Sequence, residues 1–80
     1  MEAYHLAQRA IADLKADVLI TIIQAGGDGM TNAEIGRKLG IYSGHIGHEG
    51  HISRTLLSML ELEGLIKQDI ESKRWSTSHN

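Results

Sequence analysis

The segment Met30 to Gly40, reading MTNAEIGRKLG, constrains the fold more than any other part of the chain, because it specifies a short helix at both ends. Thr31 is placed to cap, and Glu34 three residues on completes a capping box: the Thr31 hydroxyl accepts from the Glu34 backbone N–H while the Glu34 carboxylate reaches back to the N–H of Thr31. Ile35 and Leu39 then lie one turn apart on one face. Gly40 supplies a left-handed stop. The spacing predicts a helix over about residues 32–39, preceded and followed by other elements.

Upstream, Glu2 to Gln24 contains neither Gly nor Pro. Ala7, Ile11, Leu14, Val18 and Ile22 recur at spacings of four, three, four and four, the stripe of an amphipathic helix. From Val18 the chain reads Val-Leu-Ile-Thr-Ile-Ile, apolar nearly all round, which predicts burial of that stretch in the core. Ala25-Gly26-Gly27 ends the helix. A break near residues 15–17, with Asp17 capping a separate segment, is compatible with the same pattern. Downstream, His51 to Leu62 returns to helical period, with Ile52, Leu56, Met59 and Leu60 on the expected core side and Ser53, Arg54, Ser58 and Glu61 on the polar side. Thr55 and Leu62 flank the core side, Leu57 falls on the polar side, and Gly64 closes the helix. Leu65 to Ser78 has turn character at its centre, so Ile66 and Trp75 are expected to anchor two short strands joined by a polar loop over 69–73. Three helices, near 3–25, 31–39 and 50–63, are thus expected to precede a hairpin at 65–77.

Eighty residues allow one domain, expected over 1–80 with 1–16 as a helical extension. The chain has no cysteine, so no disulfide or thiolate zinc site can supplement the core. No uncharged apolar run approaches the roughly 20 residues that cross a bilayer, and no basic segment leads into an apolar, cleavable stretch. The expectation is a cytoplasmic domain without membrane contact. The net charge of −2 argues against binding nucleic acid by bulk electrostatics. Charge is nonetheless uneven. Residues 1–36 carry Arg9 and Lys15 against Glu2, Asp13, Asp17, Asp28 and Glu34, whereas residues 37–80 carry six Lys and Arg against five acids and four of the five histidines.

The order of a capped short helix, a longer helix and a strand pair resembles a winged helix-turn-helix, a mainly helical domain of three helices and a β-hairpin wing that binds duplex DNA. The resemblance covers residues 18–76. Within that group, the stretch TNAEIGRKLGIYSGHIGHEGHISRTLLSMLELEGLIKQD is similar to the winged-helix modules attached to type II restriction endonucleases, through its enlarged Gly- and His-rich turn, its Leu-Leu-x-x-Leu-Glu-x-Glu-Gly helix end and the tryptophan of its last strand. A helix-turn-helix usually joins its helices by three or four residues; here the connection is roughly ten, so the angle between the second and third helices is not set by the motif alone. The resemblance implies double-stranded DNA as the partner, with a homodimer or a nuclease domain as further partners. The alternatives are a freestanding dimeric transcription regulator and a protein-interaction winged helix that pairs through its first helix.

On that reading Arg54 reaches base edges from the first turns of the third helix, with a solvent-facing arginine as the alternative. His51 and Ser53 flank it as polar donors. Tyr42, Ser43 and His45 lie in the turn beside it and either hydrogen-bond to phosphate or bases or, for Tyr42, pack over the helix junction. Arg37 and Lys38 suit backbone phosphate, and equally complement the dipole of the second helix. Lys67, Lys73 and Arg74 suit phosphate from the wing, or else protect an ordinary hairpin edge.

Two chemical readings are set aside. His45, His48 and His51, with Glu49 among them, have no diagnostic ligand spacing, and the intervening glycines disfavour a rigid array, so no metal or other cofactor is expected. Asp69, Glu71 and Lys73 have the composition of a metal-dependent nuclease site but on a hairpin tip they read as solvated turn residues. No catalytic residue is expected.

Overall fold

The computed structural model describes residues 2–42 and 50–78. Among them the order is α1 (Ala3–Ala25), a 3-10 turn (Gly26–Asp28), α2 (Asn32–Leu39), α3 (His51–Leu62), β1 (Ile66–Gln68) and β2 (Trp75–Thr77). The protein is mainly helical with one small antiparallel sheet, an arrangement compatible with a winged helix.

The capping box forms as the sequence predicts. Glu34 N–H donates to Thr31 Oγ1 at 3.2 Å, and Thr31 N–H donates to Glu34 Oε1 at 2.9 Å. Two of the orphan donors at the start of α2 are thereby satisfied. Gly40 ends the helix in the left-handed conformation. The third helix stops at Leu62, with Glu63 as its cap and left-handed Gly64 following.

The first helix runs unbroken through 15–17, so Asp17 starts no second segment; its carbonyl instead accepts from the Thr21 hydroxyl at 2.8 Å. That bond lets Thr21 be buried without an unsatisfied polar group. The stretch from Val18 is buried on one face only. Val18, Thr21 and Ile22 are buried, whereas Ile20 and Ile23 are exposed. Burial on all sides would require neighbours all round, and α2, α3 and β2 supply packing on one side of the helix.

The core joins Val18 and Ile22 of α1, Ile35 of α2, Leu56, Leu57 and Leu60 of α3, Ile66 of β1 and Trp75 of β2. Each fully buried aliphatic side chain in it contributes about 1.5–3 kcal/mol relative to exposure. The buried face of α3 differs from the expected one: it is Ser53, Leu56, Leu57 and Leu60, while Ile52 is exposed and Leu62 is 88% exposed. The helix is rotated so that the 53/56/57/60 row faces α1 and α2. Leu57, expected on the polar side, is fully in the core.

The two strands pair Ile66 with Thr77, Lys67 with Ser76 and Gln68 with Trp75. Met30 adds a bridge on the far edge of β2, exchanging backbone bonds with Trp75 of 3.0 and 2.7 Å. Trp75 is buried, as expected of an anchor that ties the hairpin to the helices. The loop over 69–73 is organised by Asp69, whose carboxylate accepts from Ser72 N–H at 2.7 Å and whose carbonyl accepts from Lys73 N–H at 2.9 Å. Lys73 has φ of 64°, a conformation unfavourable to a side chain bearing a Cβ. Lys73→Gly should therefore raise stability by about 0.5–1 kcal/mol in urea unfolding; no gain, or a loss, would show that the turn is set by the lysine side chain.

Candidate nucleic-acid interface

The start of α3 is fixed by packing against glycine, not by a short turn. A Cβ at Gly36 would lie 2.8 Å from Tyr42 Cβ and 3.1 Å from Ser53 Oγ, and one at Gly50 would lie 2.6 Å from both Tyr42 Cε1 and Asn32 Nδ2. The contacts to Tyr42 and to Asn32 are shorter than real Cβ atoms make and the one to Ser53 is tight, so these glycines let the Tyr42 ring lie against α2 and the residue before α3. Gly50 also has φ of 79° and provides no side-chain cap.

Asn32 completes the junction. Its Oδ1 accepts from the Ser53 hydroxyl at 2.7 Å and its Nδ2 donates to the Gly50 carbonyl at 3.2 Å, joining the first turn of α2 to the first turn of α3. Ser53 is fully buried and its hydroxyl also reaches the Gly50 carbonyl. That corrects its expected place: Ser53 belongs to the junction and presents nothing to a ligand.

Around this junction the structure gathers several of the expected residues. The Arg37 guanidinium lies 4.6 Å from the Tyr42 ring centroid, a cation–π contact worth about 0.5–1 kcal/mol at an exposed site. Tyr42 therefore does pack over the helix junction, and it holds Arg37 beside the start of α3. His51 and Arg54, in the first turn of that helix, are exposed. Glu61, the acidic residue of α3, is at its other end, where the cap residue Glu63 pairs with Lys15 of α1. Ser43, His45, His48 and Glu49 lie outside the described residues. Among the described residues no group of metal-ligating side chains converges.

The hairpin cations divide. Lys67 and Lys73 are exposed. Arg74 is engaged internally: Nε donates to the Asp28 carbonyl at 2.8 Å, Nη2 donates to the Gly29 carbonyl at 3.1 Å, and the guanidinium pairs with the Glu34 carboxylate at 3.1 Å. It clamps the base of the hairpin to the turn after α1 and to α2, a structural role that the sequence did not announce. Lys38 opens on a cleft shared with Glu34 and Arg74. A second cleft, of about 600 Å³, sets Lys67 and Arg74 against Asp28 and Asp69 and so carries mixed charge.

Two carboxylates are held below the usual carboxylate range. For Glu34 the main cause is the Thr31 backbone N–H, with Arg74 adding attraction against some desolvation. For Asp69 it is the Ser72 backbone N–H. A carboxyl whose folded pKa is depressed adds stability above its unfolded value, and that stability is lost as pH falls through the folded one. The melting temperature should therefore drop as pH is taken from neutral down through the carboxylate range. In Glu34→Gln the drop should be shallower, because one linked group is gone; an unchanged profile would contradict the assignment.

Sequence reasoning missed Asn32, Gly36 and the clamp role of Arg74. A glycine inside an eight-residue helix was a readable signal, since it often marks close backbone approach. The Asn32–Ser53 bond spans 21 residues and left no local trace. Compared with known proteins, the chain matches no protein-family model, no curated protein and no solved structure.

Proposed function

We propose that the chain is a winged-helix domain that binds double-stranded DNA in a sequence-specific manner, with the front of α3 entering the major groove and the wing lysines holding phosphate. The observation that carries this reading is the glycine-packed junction, which holds Arg37 and Tyr42 beside an exposed first turn of α3 bearing His51 and Arg54. An arginine there can donate twice to guanine O6 and N7. The N-cap of α3 is Gly50, which has no side chain to occupy the first N–H groups of the helix, and a helix N-terminus favours a phosphate oxygen. Within α3 the acidic residue, Glu61, lies in the last turn, away from the end that would read the DNA.

The domain acts by binding, and on the resemblance to restriction-endonuclease modules any nuclease chemistry belongs to another domain. Arg37, Lys38, Lys67 and Lys73 serve as phosphate contacts, which position the protein without reading sequence. Selection of bound duplexes from a random pool tests the reading. The expected result is enrichment of a short motif containing guanine; a pool that stays unenriched through successive rounds would contradict it.

A further inference from the structure

We propose that Ile52 and Thr55, on the exposed front of α3, read the C5-methyl group of a pyrimidine in the major groove, next to the guanine assigned to Arg54. The inference deepens the DNA-binding reading and rests on it. It starts from an apolar side chain that the fold leaves unused. Ile52 is 45% exposed and belongs neither to the buried core nor to the partly buried residues packed against it, whereas Met59, two turns on, does pack there. A single exposed apolar side chain needs no explanation; what marks this one is its neighbour. Thr55 follows three residues later, about 60° round the helix axis, and is also exposed. Its hydroxyl donates to the His51 carbonyl at 3.0 Å, the back-bond that threonine makes within a helix. That proton is therefore not offered to a base acceptor, and the methyl of Thr55 is the part that continues the apolar surface of Ile52. Ser53, between them in sequence, is buried in the junction and adds nothing polar to this surface.

The chemistry of the groove supplies the ligand. The C5-methyl of thymine is the apolar group among the base edges of the major groove, and apolar side-chain atoms, the threonine methyl among them, recognise it. 5-Methylcytosine carries the same group at the same ring position. Around the axis of α3 the order is Ile52, Thr55, His51, Arg54, at intervals of about 60°, 40° and 60°, so one flank of the exposed front is apolar and the other cationic. From His51 to Thr55 the helix rises about 6 Å, less than two base-pair steps of about 3.4 Å, which places the methyl within two base pairs of the guanine. No acidic residue occurs from His51 to Leu60. Arg54 on the helix and Arg37 beside its start give the apolar pair a cationic border, which suits a methyl group lying between phosphate backbones.

The test uses the whole chain and the duplex enriched from the random pool, made in three forms: as selected, with deoxyuridine for thymine, and with 5-methylcytosine for cytosine. Deoxyuridine removes the methyl and leaves base pairing intact. The deoxyuridine form should bind about fourfold more weakly, the effect of one buried methyl, with the methylated form unchanged; that result assigns the site to thymine. An unchanged deoxyuridine form with a gain of about fourfold on methylation assigns it to 5-methylcytosine. In the double variant Ile52→Ala/Thr55→Ser either difference should fall below about twofold, while preference for the guanine stays. The variant tests recognition and not folding, because both positions lie outside the core cluster and serine keeps the hydroxyl that donates to His51. Equal binding of all three forms by the wild type, or a difference that survives in the variant, would overturn the proposal and leave the DNA-binding reading standing. No binding to any duplex at low salt would remove both.

Discussion

Gly50→Ala should cost about 2–4 kcal/mol of folding stability, through the combined penalties of a left-handed residue with a Cβ and of overpacking a filled contact. The position has φ of 79°, and its Cβ would lie 2.6 Å from Tyr42 Cε1 and from Asn32 Nδ2. Tyr42 cannot retreat without leaving Gly36, against which its Cβ and ring edge already lie. Asn32 cannot retreat without losing its bonds to Ser53 and the Gly50 carbonyl. Urea unfolding checks the magnitude. On the proposed function the same variant should also weaken DNA binding, because the first turn of α3 would shift relative to Arg37. A loss below about 0.5 kcal/mol, the ordinary range of a surface substitution, would mean that the junction is not the fixed point described above.

Arg54→Ala should weaken binding to the preferred duplex by about 1–3 kcal/mol, or roughly five- to 150-fold, and relax preference at one base pair. The argument rests on position: Arg54 is exposed one turn into α3, and its N–H donates to the Gly50 carbonyl at 2.9 Å, so its place is fixed by the junction. Lys73→Ala should act differently, weakening all duplexes alike as a lost phosphate contact does. Anisotropy titrations against matched and mismatched duplexes separate the two. If Arg54→Ala binds every duplex as wild type does, the reading end of α3 is misassigned.

The parts of the fold legible in the sequence are those set by neighbours in the chain. Thr31, Glu34 and Gly40 fix α2 through bonds spanning a few residues, and Ile66 and Trp75 announce a hairpin whose loop is organised by local bonds of Asp69, Gln68 and Ser72. The face of α3 was not legible, because Ile52, Leu56 and Met59 form one apolar row and Leu56, Leu57 and Leu60 another. Local period cannot choose between overlapping rows. In the fold the second row packs into the core, and the buried Ser53 on the same face is bonded to Asn32 of α2 and to the Gly50 carbonyl. A buried serine is costly without a partner, and one of its two partners lies in another helix. The candidate site shows the same division. Arg54 and Arg37 were readable as cations at helix ends, whereas Arg74 looked equivalent to them and is instead held by carbonyls 45 and 46 residues earlier in the chain.

The central claim, that this surface binds DNA, is tested most directly by measuring the affinity of the whole domain for duplex DNA as a function of salt concentration. Each phosphate contact contributes about −0.9 to the slope of log K against log salt on B-form DNA. With Arg37, Lys38, Lys67 and Lys73 on phosphate, the account predicts a slope of about −3 to −4. A slope near zero, or no binding at low salt, would contradict it.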